Sequence, residues 1–297
     1  MRPGLLYLGT EHGLYISADA GAHWTEFRSN MPRVPVNDLV IHPRDNDLVL
    51  ATHGRGVWIL DDVSPLQQLT PDVMTEAAHL FAPRAAEEIR YFNPKPHQGD
   101  LTYRGDNPPA GAIVDYYLSG NPGANFSVDI LDASARHVAN LAAPRATGLN
   151  RVVWDLRFES LPDAPPEAEG GRLPMGGPLV LPGEYIVRLT AGGRTQDQKL
   201  TVLEDPRLQV SAADRKAWTD ALVETAQTYR GVVVVMQRLN GAGGSSELRR
   251  VARELQSRIS SVYRDMSLST GRPTADQLAQ MQFFKTALES LRRRAAP

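Results

Sequence analysis

The stretch SADAGAHW, residues Ser17–Trp24, lies between the apolar runs LYLGTEHGLYI (Leu6–Ile16) and WTEF (Trp24–Phe27). Short apolar runs bounded by glycine are typical of β-strands, so we predict that this stretch is the turn of a β-hairpin. In such a turn a carboxylate accepts backbone N–H groups, glycine adopts positive φ, and an indole packs between neighbouring sheets. The residues with these roles are Ser17, Asp19, Gly21 and Trp24. We interpret them as a structural staple rather than a ligand-binding loop.

A second segment repeats the pattern around this turn. LVLATHGRGVWI (Leu48–Ile59) aligns with LYLGTEHGLYI if one residue is inserted, which gives a period of roughly 42 residues. That period is typical of four-stranded propeller blades. The repeat predicts second strands at Leu5–Thr10 and Leu48–Thr52, third strands at Gly13–Ser17 and Gly56–Asp61, a fourth strand in WTEF and a first strand in VNDLVIH.

The spacing of the four turn residues resembles the Asp-box of the bacterial neuraminidase repeat. Residues 1–63 resemble the closing part of an Asp-box propeller of the sortilin-like or xyloglucanase-like kind, and ATHGRGVWILDD (Ala51–Asp62) resembles its last blade. The resemblance implies an incomplete propeller of about two partial blades. It also implies that the missing blades, or another chain, cover the open strand edges. An extracellular or periplasmic location follows from the same resemblance.

The middle of the chain begins with a Pro-rich connector, residues 64–104, which is expected to be irregular except for one short helix after Pro71, where Thr70-Pro-Asp is a start signal. A second set of alternating strands follows at residues 105–204. Strands at this spacing predict a small β-sandwich. PAGAIVDYYL, LNRVVWDLR and LPGEYIVRLT resemble the immunoglobulin-like domain of flagellar hook-capping proteins, which often follows Asp-box propellers in secreted bacterial proteins. The Pro/Gly-rich insert at 159–180 is predicted to be an exposed loop.

Beyond residue 205 the apolar period changes from two to 3.6, which predicts three helices within 205–297. The period passes through the strand-like run Val232–Val235, so we predict that this run is helical. Ser211-x-x-Asp214 and Thr274-x-x-Gln277 are helix-start signals. Short connections predict an antiparallel helical bundle or hairpin. The expected fold is therefore mainly β with an α-helical C-terminus: partial β-propeller blades, an Ig-like β-sandwich and the helices.

Composition limits the function classes. The 297 residues carry a net charge of -2, which gives no whole-chain argument for binding nucleic acid or an anionic membrane. The chain has no cysteine, so disulfides, thiolate catalysis and cysteine metal sites are excluded. We expect a soluble chain, because we find no apolar leader and no segment long enough to span a bilayer. The arginines of the helical part, including RRR at 292–294, are interpreted as a solvated surface rather than a nucleic-acid site.

Candidate site residues lie where the blade geometry places the loops between second and third strands. These weak binding candidates are Glu11, His12, His53 and Arg55. A glycosidase needs two carboxylates about 5–9.5 Å apart, and Glu11 is the one acid that we place on this rim. The two histidines lack a third metal ligand. The sequence therefore predicts no catalytic residue, no metal and no cofactor.

Two function classes stay open. The first is a non-catalytic binding or scaffolding part of a secreted Asp-box propeller protein, with a carbohydrate or protein ligand. The second is a fragment of a propeller glycoside hydrolase, xyloglucanase-like or sialidase-like, whose catalytic acids lie in the missing blades.

Overall fold

The computed structural model describes residues 2–91, 105–162, 176–241 and 245–295. It is mainly β, with three long helices at the C-terminal end, as the sequence predicts. Parts of three predicted segments lie outside the described residues: 92–104 of the connector, 163–175 of the Pro/Gly-rich insert and 242–244 of the linker between the first two long helices.

The N-terminal unit consists of two three-stranded antiparallel sheets, β1-β2-β3 and β4-β5-β6. Its strands fall within one or two residues of the positions that the repeat predicts, so this assignment is confirmed. They are β1 (Leu6–Thr10), β2 (Gly13–Ser17), β3 (Thr25–Phe27), β4 (Val36–Ile41), β5 (Leu48–Thr52) and β6 (Val57–Leu60).

The two sheets share a small apolar core between their inner faces. Gly9 of β1 lies against Val36 of β4 so closely that a Cβ on Gly9 would approach the Val36 carbonyl oxygen to 2.6 Å. Because a larger residue would separate the strands, this glycine sets how closely the sheets approach. The buried residues of this core are Leu14, Met31, Val36, Leu48, Leu50 and Val63.

The described part of the connector contains two short helices, α1 (Ser64–Gln68) and α2 (Pro71–Thr75), and two short strands, β7 (Ala78–Leu80) and β8 (Ala86–Glu87). The Thr70 hydroxyl accepts the Val73 N–H and caps α2, as the sequence predicts. The strands are a difference from the expected irregular stretch. β7 pairs with β9 and β8 pairs in parallel with β14, so the connector completes the sheets that follow it.

The second β unit has a five-stranded sheet, β11-β10-β13-β14-β8, and a three-stranded sheet, β12-β9-β7. The Trp154 and Tyr185 rings meet between the sheets with centroids 5.3 Å apart, so both aromatic residues belong to the core. The remaining strands are β9 (Ala112–Leu118), β10 (Ser127–Asp132), β11 (His137–Leu141), β12 (Gly148–Trp154), β13 (Gly183–Ala191) and β14 (Arg194–Leu203).

Three antiparallel helices follow, α3 (Ala212–Gly241), α4 (Ser246–Ser267) and α5 (Ala275–Arg294). The Thr274 hydroxyl accepts the Gln277 N–H, and the Gln277 side-chain oxygen accepts the Thr274 N–H. This capping box is confirmed. The run Val232–Val235 lies inside α3, so the 3.6 period prevailed over the strand propensity of valine there.

The helices and the second β unit share one continuous core, in which α3 is buried on most sides. Arg215 of α3 joins the two parts: its guanidinium donates to Glu88 at 2.6 Å, to Glu204 at 2.8 Å and to the Val180 carbonyl at 2.7 Å. The same guanidinium lies over the Trp218 ring. Since Arg215 and Glu88 are both buried, their pairing holds two charges that would be costly to leave alone.

Two further arginines tie the N-terminal unit to the second β unit. Arg151 of β12 binds both carboxylate oxygens of Asp115 and donates to the carbonyls of Asp61 and Asp62. Arg84 donates to the Asp45 carbonyl and contacts the Asp47 carboxylate at 3.2 Å. The two units are therefore held together largely by polar groups, because their apolar clusters are separate.

Candidate functional site

The loops that carry the four predicted rim residues lie at the same end of the N-terminal unit. The β1–β2 turn follows Thr10, whose hydroxyl donates to the Gly13 carbonyl at 3.0 Å. The β5–β6 loop is joined to the β3–β4 loop by a bond from the His53 N–H to the Pro35 carbonyl at 2.9 Å. Because β1 also contacts β4 at Gly9, all three loops converge on one edge of the unit.

The predicted rim residues do not form a group of interacting side chains. Glu11, His12, His53 and Arg55 are all exposed, and no hydrogen bond or ion pair connects any two of these four described side chains. The loops are instead fixed by backbone groups, as when the Trp58 indole donates to the Arg55 carbonyl at 3.2 Å. The rim thus offers separate polar groups to a ligand, with no arrangement for proton transfer among them.

A second carboxylate lies close to this rim, and sequence reasoning missed it. Glu26 of β3 accepts two bonds from Arg33 of the β3–β4 loop, each 3.0 Å long. These bonds lower the pKa of the Glu26 carboxyl below its ordinary value. An acid held ionised in this way does not suit the proton-donor role of a glycosidase, which needs a raised pKa. The pairing could not be read from WTEF, because Arg33 lies seven residues along the chain.

The predicted Asp-box turn lies at the opposite end of the unit. The Asp19 carboxylate accepts the backbone N–H of His23 at 2.9 Å and contacts the His23 ring at 2.6 Å. These bonds, with one from the Ser17 hydroxyl, lower the pKa of Asp19 to about 2. Gly21 has a φ of +93°, and its N–H donates to the Ser17 hydroxyl at 2.9 Å. The aspartate, glycine and serine therefore all act within the turn.

Trp24 occupies a different place from the one expected. Its ring lies against Gly21, 3.7 Å from the position of a Cβ there, and the residue is 39% exposed. It packs on the turn rather than between two sheets. Leu6 approaches the same glycine to 3.7 Å, so the indole covers one edge of β1 and leaves part of its own surface open.

The most unusual surface of the unit is apolar. Each of its sheets turns one face to the shared core and the other outward. The outward face of the second sheet is mostly aliphatic, with Asp38 as a polar member, and on the first sheet Leu8 lies in register with Tyr15 and Glu26. On β4-β5-β6 the pairing places Val40 opposite Val49 and Val49 opposite Ile59. We call these the outer faces; their exposed aliphatic members are Leu6 and Leu8 on the first sheet and Val40, Val57 and Ile59 on the second.

Comparisons of the chain with protein-family models, with curated proteins and with solved structures give no match. Within the described residues, no three or more histidine, aspartate or glutamate side chains come together in a way that could hold a metal ion. None of the described helices combines the length and the apolar character needed to cross a bilayer.

Proposed function

We propose that this chain is a non-catalytic binding and scaffolding part of a secreted Asp-box propeller protein. In this proposal the N-terminal unit docks against further β-sheets through its outer faces, and the second β unit with its helices holds that unit in place. The rim residues Glu11, His12, His53 and Arg55 would contact a ligand only as part of a larger surface that the neighbouring sheets complete.

The observation that carries the proposal is the exposure of the outer faces. Val40 of β4 is 57% exposed, and Val57 and Ile59 of β6 are 65% and 58% exposed. Val49 of the central strand β5 lies between Val40 and Ile59, so the aliphatic group extends across the sheet. Scattered exposed aliphatic residues are ordinary, but a contiguous group across a sheet is typical of a surface that a partner covers.

The inner faces indicate what kind of partner fits. The first sheet covers the inner face of the second with aliphatic and aromatic side chains such as Leu14 and Phe27. The outer face of the second sheet presents similar chemistry, because its alternate positions are aliphatic apart from Asp38. A third twisted antiparallel sheet with an aliphatic face would match it in the way that sheets pack on each other.

The polar rim supports the non-catalytic part of the proposal. Glu11 is exposed and has no bonded partner among the described residues, while Glu26 is held by Arg33. The pKa of Glu26 is lowered by Arg33, whereas a general acid needs a raised one.

The experiment compares sedimentation velocity of the whole chain with that of Val40→Lys/Ile59→Lys. We expect the native chain to self-associate with rising concentration, and the double variant to remain monomeric, because lysine on an open sheet blocks sheet-to-sheet contact. Leu268→Lys/Leu278→Lys is the matched control, since these helical residues are 58% and 49% exposed and lie outside the outer faces. The control should associate like the native chain.

Two outcomes would contradict the proposal. The first is a native chain that stays monomeric at every concentration, with the amides of β1 and β6 strongly protected from hydrogen exchange. The second is turnover of a β-glucan or a sialoside that disappears in Glu11→Gln, which would favour the glycoside-hydrolase class instead.

A further inference from the structure

The three long helices bring their arginines to one end of the bundle. Helix α3 ends there, α4 begins there and α5 ends there. The described residues 236–241, 245–254 and 288–295 contain seven arginines and three glutamates. We call this the arginine end; its arginines are Arg238, Arg249, Arg250, Arg253, Arg292, Arg293 and Arg294. Because the whole chain has a net charge of -2 and the arginine end is positive, the residues outside this end carry a net negative charge.

Three of these arginines have a structural role. Arg249 donates to the Leu239 carbonyl at 3.3 Å and so caps the last turn of α3. Arg294 reaches Glu247 at 3.2 Å, and Arg250 lies 3.8 Å from Glu254. The first two contacts join the ends of different helices and the third lies within α4, and together they use two of the three glutamates.

The other four make no such bond, although the Arg292 guanidinium lies against α3 at Gly231. Arg238, Arg253, Arg292 and Arg293 are exposed, and none has a hydrogen-bond or ion-pair partner among the described residues. The last-turn arginines gain a little from the negative end of the helix dipole. Arg253 gains nothing from it, because it lies in the second turn of α4, near the positive end. Four unpaired guanidinium groups near one end of the bundle exceed what helix capping requires.

We propose that the arginine end docks on an anionic membrane surface, with its guanidinium groups on lipid phosphates. Clusters of four to eight basic residues are typical of such surfaces, and guanidinium matches phosphate in two-pronged geometry. The acidic remainder of the chain would turn this end toward an anionic surface.

The side chains around the arginines favour a membrane over nucleic acid. None of the large hydrophobic residues exposed in the described part of the chain lies at the arginine end. Single-stranded nucleic acid is held by aromatic side chains on which bases stack, and this end offers no such ring. It offers no apolar side chain for insertion either, so attachment to lipid would be electrostatic and reversed by salt.

The experiment measures co-sedimentation of the whole chain with phosphatidylglycerol/phosphatidylcholine vesicles and with pure phosphatidylcholine vesicles. We expect binding to the anionic vesicles at low salt and its loss at high salt. In Arg238→Gln/Arg253→Gln/Arg293→Gln the affinity should fall roughly a hundredfold, since each basic residue near an anionic surface contributes about fivefold. These side chains are exposed and unpaired, so the variant should melt at the native temperature.

The matched control is Lys216→Gln/Arg264→Gln/Arg272→Gln, which removes the same charge at the opposite end of the bundle. It should bind within a few-fold of the native chain, because charges farther than a Debye length from the surface are screened. Replacing the three test arginines by lysine should keep most of the binding, because the charge is retained, and should lose only the part that two-pronged phosphate contact adds. Equal losses in the test and control variants, or no binding to anionic vesicles at low salt, would overturn the proposal. Tighter binding to duplex DNA than to vesicles would overturn it in favour of a nucleic-acid surface.

Discussion

The two β units of this chain treat their outward faces in opposite ways. On the second unit, adjacent strands carry paired polar groups: Arg188 binds Asp197 at 2.7 and 2.8 Å, and Asn140 donates to Asp129 at 2.7 Å. On the second sheet of the N-terminal unit most of the corresponding positions are aliphatic, and on its first sheet exposed Leu6 and Leu8 lie beside the paired Glu26. A sheet face with polar pairs is stable in contact with water, whereas a face with aliphatic residues is stabilised when another sheet covers it. The difference indicates which unit has its surfaces complete and which one needs a partner.

The cores differ in the same direction. Among the described residues, six are buried in the core of the N-terminal unit, and more than forty lie in the core that the second unit shares with the helices. A small unit buries a smaller fraction of its surface, so less free energy opposes its unfolding. We therefore expect the N-terminal unit to open at lower denaturant concentration than the rest of the chain.

The largest expected effect concerns the more stable part, the second β unit with its helices. Arg215→Met removes the cation shared by Glu88 and Glu204 in the joint between the sheets and α3. Burial raises the pKa of Glu88 to about 7, although the nearby Arg215 guanidinium acts to lower it. At pH 8 the variant leaves a buried carboxylate without its partner, and we expect the free energy of unfolding to fall by about 3–5 kcal/mol. Urea unfolding followed by tryptophan fluorescence measures the change.

Arg207→Met is the control for this prediction. Its guanidinium also pairs with a carboxylate, Asp205, at 2.5 Å, but the side chain is 64% exposed. Pairs of this kind contribute about 0–1 kcal/mol. If the two variants lose equal stability, burial is not what gives the Arg215 joint its importance. A loss confined to β1–β6 would reverse the assignment of the weaker unit.

A smaller effect is expected at the contact between the N-terminal sheets. Gly9→Ala places a Cβ 2.6 Å from the Val36 carbonyl oxygen, so β1 and β4 must separate. We expect a loss of about 1–3 kcal/mol, as in other overpacked sites. Hydrogen exchange should show faster exchange in β1–β6 and no change in β9–β14. Gly120→Ala is the control, because a Cβ at that glycine meets no atom within 4 Å. Exchange that rises equally in both units would indicate that they unfold together.

Local signals in the sequence predicted much of this fold. The repeat around SADAGAHW gave all six N-terminal strands, since alternation and glycine boundaries are properties of a few adjacent residues. The caps at Thr70 and Thr274 were predicted for the same reason. The valine run in α3 was assigned correctly because the period over thirty residues outweighed four local propensities.

Contacts between distant segments could not be predicted in this way. Nothing near Ala86 or Ala78 in the sequence indicates that the connector pairs with strands more than thirty residues away. The Arg151 and Arg215 joints depend on which elements meet, and so does the Glu26–Arg33 pair beside the rim. At the candidate site, the sequence predicted which residues lie in the loops but not which side chains lie beside them. The rim residues and the propeller and immunoglobulin resemblances therefore stay predictions.

The smallest expected effect concerns the hairpin turn of the weaker unit. The His23 N–H and ring hold the pKa of Asp19 at about 2, below its ordinary value. A carboxyl with a lowered pKa stabilises the fold above its ordinary pKa, and this contribution is lost as the pH falls toward the folded value. Protection of the His23 and Gly21 amides should therefore decline between about pH 4 and pH 2, while the amides of β13 and β14 change little. Asp19→Asn should show the weakened turn already at neutral pH, because an amide oxygen accepts the His23 N–H and the Ser17 hydroxyl more weakly than a carboxylate does. Asp38→Asn is the control, since Asp38 is an exposed acid of the same unit whose carboxylate accepts only the next N–H, that of Leu39. Amide exchange followed by NMR makes the measurement, and equal deprotection of the turn in both variants would show that Asp19 has no special role in it.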